Sequence, residues 1–169
     1  MTAKIITDSE DVMLKINRKL SVYISIVLTA AMFAGTVALA FFIPAFSDYL
    51  LRLPDMNGEV PVMTAFQRTA VRTGLYAEIA LMLAGLGMLF ALLLLVQRKK
   101  VFTAAAVELV RYISWCLIFM GVIMICLAFC RTAALFIGAA ILFVGLTIRV
   151  VKNVIEAAVF IKEENDLTV

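Results

Sequence analysis

Apolar runs long enough to cross a bilayer alternate along the chain with short polar stretches. Four of them reach the roughly 20 residues that a spanning helix needs. They cover about 20–43, stopping at Pro44; 75–96, ending in Gln97-Arg98-Lys99-Lys100; 107–129; and 132–151. Cys130 and Arg131 alone separate the last two, which predicts a tight antiparallel hairpin. None of the runs alternates with period two, and a segment in lipid must satisfy its own backbone hydrogen bonds, so each is predicted to be a helix. The expected fold is all-α: a four-helix transmembrane bundle forming one membrane domain over residues 1–169.

The intervening stretches add helical extensions and one sizeable loop. Residues 44–74 are expected to form that loop, broken by Pro44, Pro54 and Pro61, with a turn at Asp55-Met56-Asn57-Gly58. Phe46, Tyr49, Leu50, Leu51 and Leu53 make an apolar cluster within it, placed on the membrane surface or capping the bundle. From Pro61, a favoured first helical residue, a helix is expected to run into the second span. Such a helix, about 35 residues long to Val96, would measure roughly 50 Å against about 30 Å of hydrocarbon, so it should tilt or project. At the start of the chain, Thr7-Asp8-Ser9-Glu10 reads as a capping box ahead of Val12, Met13, Ile16 and Leu20. At the other end, 148–164 continues the fourth span without Gly or Pro. Val150, Val151, Val154, Ile155, Ala158, Val159 and Ile161 give this extension an apolar stripe that needs covering, with Lys152, Asn153, Glu156 and Lys162 opposite.

Composition agrees with the pattern and excludes other classes. The chain is 64% hydrophobic and 16% charged, against about 45–50% and about 25% in soluble domains. A domain this short has too much surface to hide so many apolar side chains from water, and no polar tract suggests disorder. The net charge of +3 is not gathered into a patch suited to nucleic acid, so no direct nucleic-acid binding is expected. Its distribution sets orientation instead. Lys4, Lys15, Arg18, Lys19, Arg98, Lys99, Lys100, Arg149, Lys152 and Lys162 fall on one side; Arg52, Arg68, Arg72 and Arg131 fall on the other. Both termini are therefore expected in the cytoplasm, with residues 152–169 as a cytoplasmic tail. Ala38-Leu39-Ala40 imitates a signal-peptidase site, but the apolar run ahead of it exceeds the about 7–15 residues of a signal peptide's core, so the helix is read as retained.

Few residues can carry chemistry. Histidine is absent, and Cys116, Cys126 and Cys130 lack the spacing of a metal site and suit packing. There is no P-loop, HExxH or nucleophile elbow. Neither enzymatic activity nor a cofactor is expected. Glu78 is the costliest side chain, one turn inside the second span, and Arg131, at the turn between the third and fourth helices, is its expected partner. That pair reads either as a structural tie or as the polar centre of a ligand or proton site. Glu108 and Arg111, at i and i+3, should face each other at the inner end of the third helix. Ala30, Ala34 and Ala38, and likewise Ala134 and Gly138, form small-residue stripes suited to close helix packing or to a homodimer face.

The ending Lys162-Glu163-Glu164-Asn165-Asp166-Leu167-Thr168-Val169 resembles the closing signature of a family of four-helix bacterial inner-membrane proteins, domain of unknown function 2975. Val101-Phe102-Thr103, followed by Leu109-Val110-Arg111-Tyr112-Ile113, is similar to that family's entry into its third helix, with Lys100-Val101 in place of Asn-Pro. The resemblance implies a bacterial plasma membrane and the membrane half of a regulatory pair, because members are often encoded beside a small cytoplasmic helix-turn-helix regulator. It directs attention to Phe102, Arg111, Asn153, Lys162, Glu163, Glu164, Asn165 and Asp166, to which Glu156 on the same tail is added. Acidic groups at a helix C-terminus oppose the macrodipole, and a basic DNA-binding partner would relieve them. The expected function is a non-enzymatic membrane regulator holding that soluble partner. A small transporter, channel or lipid-binding subunit built on Glu78 and Arg131 is the alternative, and an assembly factor is a third reading.

Overall fold

A computed structural model describes residues 18–54, 58, 60, 62, 64–98 and 103–167. Four helices carry almost all of them: α1 (Arg18–Arg52), α2 (Ala65–Gln97), α3 (Ala104–Leu127) and α4 (Ala133–Leu167). No strand occurs among the described residues. All four helices are long and apolar enough to cross a membrane, and between 6% and 22% of each apolar window is buried inside the protein. The remaining apolar surface, including Phe41, Phe136 and Phe143 at 62–81% exposure, requires lipid as its solvent.

Local chemistry sets the helix ends. Thr64 caps α2 with a capping box: its hydroxyl accepts from Gln67 N–H at 3.3 Å, and Gln67 Oε1 accepts from Thr64 N–H at 3.0 Å. The helix thus starts at Ala65, four residues later than Pro61 suggests. Thr103 caps α3, its side chain accepting from Ala106 N–H. The hairpin between α3 and α4 is as tight as expected, turning over residues 128–132. The capping box at Thr7 lies outside the described residues.

Pro44 does not end α1. The helix runs through it to Arg52, so the expected loop of residues 44–74 shrinks to the stretch between Arg52 and Ala65, and the cluster Phe46–Leu51 is helical. Proline removes one backbone donor but is tolerated in membrane helices where side chains and neighbours satisfy the disturbed turn. One turn on, Ser47 is fully buried: it donates to the Pro44 carbonyl at 2.9 Å and accepts from Arg72 Nε of α2 at 3.4 Å. Arg72 also pairs with Asp48 at 3.2 Å, tying the end of α1 to the start of α2.

The helices pack in chain order, α1 on α2, α2 on α3 and α3 on α4, with no comparable packing between α1 and α4 among the described residues. The α3–α4 seam is the closest. A Cβ on Gly121 would lie 2.8 Å from the backbone nitrogen of Leu142, and one on Gly138 would lie 2.8 Å from that of Ile125. Gly145 meets Leu117 and Ile118 in the same way at 3.1 Å. Glycines let the two backbones touch, the usual route to helix association in lipid.

These registers also fix depth. Gly74 faces Leu127, so the Arg72–Asp48 pair lies level with Phe129, and a charged pair beside an exposed aromatic suits a membrane boundary. At 1.5 Å per residue, about 30 Å of hydrocarbon then carries α3 back to about Leu109 and α4 on to about Asn153. Arg111, Arg149 and Lys152 fall near the opposite end of such a span, beside Tyr112 and Trp115, residue types common at membrane interfaces. Beyond it α4 projects for about another 14 residues, roughly 21 Å.

Candidate functional site

Glu78 lies one turn beyond Gly74 on the face of α2 that meets α3. It is 6% exposed, and its Oε1 is buried without a hydrogen-bond partner. The expected pairing with Arg131 does not form: no ion pair joins them among the described residues. The register explains why. Leu127 faces Gly74, so Arg131 falls level with residue 70, about 12 Å along the axis from Glu78.

Arg131 instead reaches across to α1. Its Nη2 donates to the carbonyls of Leu50 and Leu53, the latter at 2.6 Å, capping carbonyls at the end of that helix with a cation. Its Nε is buried without a partner. The end of the bundle that holds these residues therefore carries two orphaned polar atoms that do not meet each other.

The opposite rim forms its expected local pair, Glu108–Arg111, and adds contacts. Arg111 donates to Glu108 at 3.1 Å and lies 5.5 Å from the Tyr112 ring centroid. Lys152 reaches Glu156 at 2.6 Å and Asn153 at 3.3 Å, so Glu156 and Asn153 are engaged along their own helix. The α4 extension is a single helix to Leu167, three residues past the expected end. Its apolar stripe is covered only in part: Val159 is buried, whereas Val150, Val154 and Ile161 are 57–66% exposed, and Phe160 beside the stripe is 62% exposed. Lys162 and Glu164 sit exposed on the projecting turns. Phe102 lies outside the described residues, as do the side chains of Glu163, Asn165 and Asp166.

The small-residue stripes divide. Gly138 belongs to the α3–α4 seam, while Ala34 and Ala38 face outward. Ala30 joins Thr29, Phe33, Leu86, Gly87 and Phe90 around an apolar groove of about 400 Å³ between α1 and α2. Sequence reading missed Gly121 and Gly145, although the seven-residue spacing from Gly138 to Gly145 signals one helix face. It also missed the buried hydroxyls of Thr29, Thr36 and Ser114, each donating to a carbonyl of its own helix at 2.7–2.8 Å.

No cluster of three metal-ligating side chains occurs among the described residues. The cysteines are free. Four long apolar helices, an isolated buried carboxyl and a projecting charged extension define a multi-pass membrane protein. The chain belongs to the family described as protein of unknown function (DUF2975), which matches residues 51–169, from the end of α1 to the last residue. No curated protein and no solved structure matches it significantly.

Proposed function

We propose that this protein is a non-enzymatic regulator of the bacterial inner membrane, with both termini in the cytoplasm. Its α4 extension holds a small, basic, soluble helix-turn-helix regulator. The observation that carries this reading is the unbroken course of α4 past the start of α3, leaving Phe160 and Ile161 exposed beside Lys162 and Glu164. Four spans return the two termini to one side, and the excess of basic residues at that side supports placing it in the cytoplasm. Phe102, Arg111, Asn153, Glu156, Lys162, Glu163, Glu164, Asn165 and Asp166 form the assigned contact region, with the acidic end offered to a basic surface.

Co-purification of the tagged full-length protein from native membranes in mild detergent tests the proposal. A small DNA-binding protein should accompany it in fixed ratio and be lost when residues 162–169 are deleted, while the truncated chain still inserts. A partner that stays bound to the truncation, or no DNA-binding protein at all, contradicts the reading.

A second reading rests on Glu78. A buried carboxyl without a partner is costly in a membrane and often marks a binding site. In that reading the protein carries or binds a small molecule, and Glu78→Gln abolishes flux or ligand binding. A Glu78→Gln protein with full activity removes it.

A further inference from the structure

Three cations lie within about one helical turn of depth where α4 leaves the span: Arg111, Arg149 and Lys152. Arg111 is neutralised by Glu108 and Lys152 by Glu156, each within its own helix. Arg149 has no such partner, for no carboxylate pairs with it among the described residues. Its guanidinium carbon lies 4.5 Å from the ring centroid of Trp115 on α3. That contact fixes the guanidinium against an apolar face, and a cation–π contact leaves the N–H donors without an acceptor. Gly145, one turn earlier on α4, approaches the α3 backbone closely and holds this part of α4 against α3.

The neighbouring surface continues the pattern into the hydrocarbon. Trp115 is 40% exposed and stacks on Phe119, which is 53% exposed, with ring centroids 5.7 Å apart. Phe119 lies one turn nearer the bilayer centre. A cation that wants an anion thus leaves α4 about one turn inside the boundary, within snorkelling reach of the headgroups, beside an exposed aromatic strip leading toward the acyl chains. Basic pockets between helices at a membrane boundary take anionic headgroups.

We propose that Arg149 and Trp115 form a binding site for the headgroup phosphate of an anionic phospholipid, with an acyl chain lying along Trp115 and Phe119. Arg149 donates to the phosphate oxygens while Trp115 keeps the guanidinium oriented. A zwitterionic lipid brings its own ammonium to the phosphate and competes poorly, so the site selects by charge.

Trp115 is the single tryptophan of the chain, so its fluorescence reports on this place alone. The test reconstitutes the full-length protein in vesicles containing brominated phosphatidylglycerol or brominated phosphatidylcholine at equal mole fraction. The phosphatidylglycerol should quench as though enriched about fivefold, the scale of one basic residue's attraction to an anionic surface. Unbrominated phosphatidylglycerol should relieve that quenching more than unbrominated phosphatidylcholine does. Arg149→Gln should erase the preference, and Arg98→Gln should retain it. Equal quenching by the two lipids in the unmodified protein overturns the site, as does a preference that survives Arg149→Gln. Should Arg149→Gln fail to insert, the competition in the unmodified protein decides: equal relief by the two unbrominated lipids is a contradiction.

Discussion

At the α3–α4 seam the absence of a side chain is what shapes the contact. A methyl group on Gly121 or Gly138 would press on the backbone of the opposite helix at 2.8 Å, and backbone cannot swing aside. Gly121→Ala or Gly138→Ala is therefore expected to cost about 1–3 kcal/mol, as overpacking does. Gly35→Ala and Gly87→Ala, where nothing lies within 4 Å, should stay within about 0.5 kcal/mol. Unfolding in a mild detergent series measures both. Glu78 presents the opposite case, a polar group kept without a partner. Glu78→Leu is expected to raise stability by about 1–3 kcal/mol, the usual penalty of an unsatisfied buried group. The same unfolding assay checks this, and a loss of stability would mean that the carboxyl has a structural role. The pair Glu108–Arg111 was legible in the sequence because i,i+3 geometry belongs to any helix. The expected pair Glu78–Arg131 does not form, because such a pair depends on the register between two elements, which periodicity does not carry.

Among the elements, α1 departs most from its sequence pattern. Proline reads as a stop in a soluble helix, yet buried Ser47 and the tie from Arg72 to Asp48 carry α1 two turns past Pro44. The Arg72 contacts come from α2, so nothing within the local sequence announces them. The end of α1 depends in turn on Arg131, 78 to 81 residues away, which supplies charge-assisted hydrogen bonds to Leu50 and Leu53. Arg131→Gln should loosen that last turn. Hydrogen exchange over residues 49–53 is expected to speed up by about tenfold or more, since hydrogen bonds to charged groups contribute roughly 1.5–3 kcal/mol each. Exchange in the middle of α3 should stay unchanged. A uniform change across all helices would point to global destabilisation and not to a lost cap. The end of α4 was easier to read: an unbroken helix-forming stretch without Gly or Pro continues as helix, and it does so to Leu167.

At the scale of the molecule, the sequence made the four helices, their order and the tight last hairpin legible, because hydrophobic length in a bilayer allows few alternatives. The serial packing that leaves α1 and α4 apart was not legible, since every apolar face looks alike when lipid can cover it. The functional account rests on asymmetry between the two ends of the bundle. One end is closed by short connections and the Arg72–Asp48 and Arg131 ties; the other sends α4 about 21 Å beyond the boundary as a rod. The exposed apolar residues on that rod, Phe160 and Ile161, are the ones a partner would cover.

The most direct test places a photoreactive amino acid at Ile161 in the full-length protein and irradiates living cells of the native host. Val62, 99% exposed in the connection between α1 and α2 at the opposite end of the bundle, serves as the control position. The expected result is a discrete adduct at position 161 with a small soluble DNA-binding protein, and no such adduct at position 62. Adducts at position 161 confined to lipid or to a second copy of the chain, or the same DNA-binding partner captured from position 62, would contradict the account.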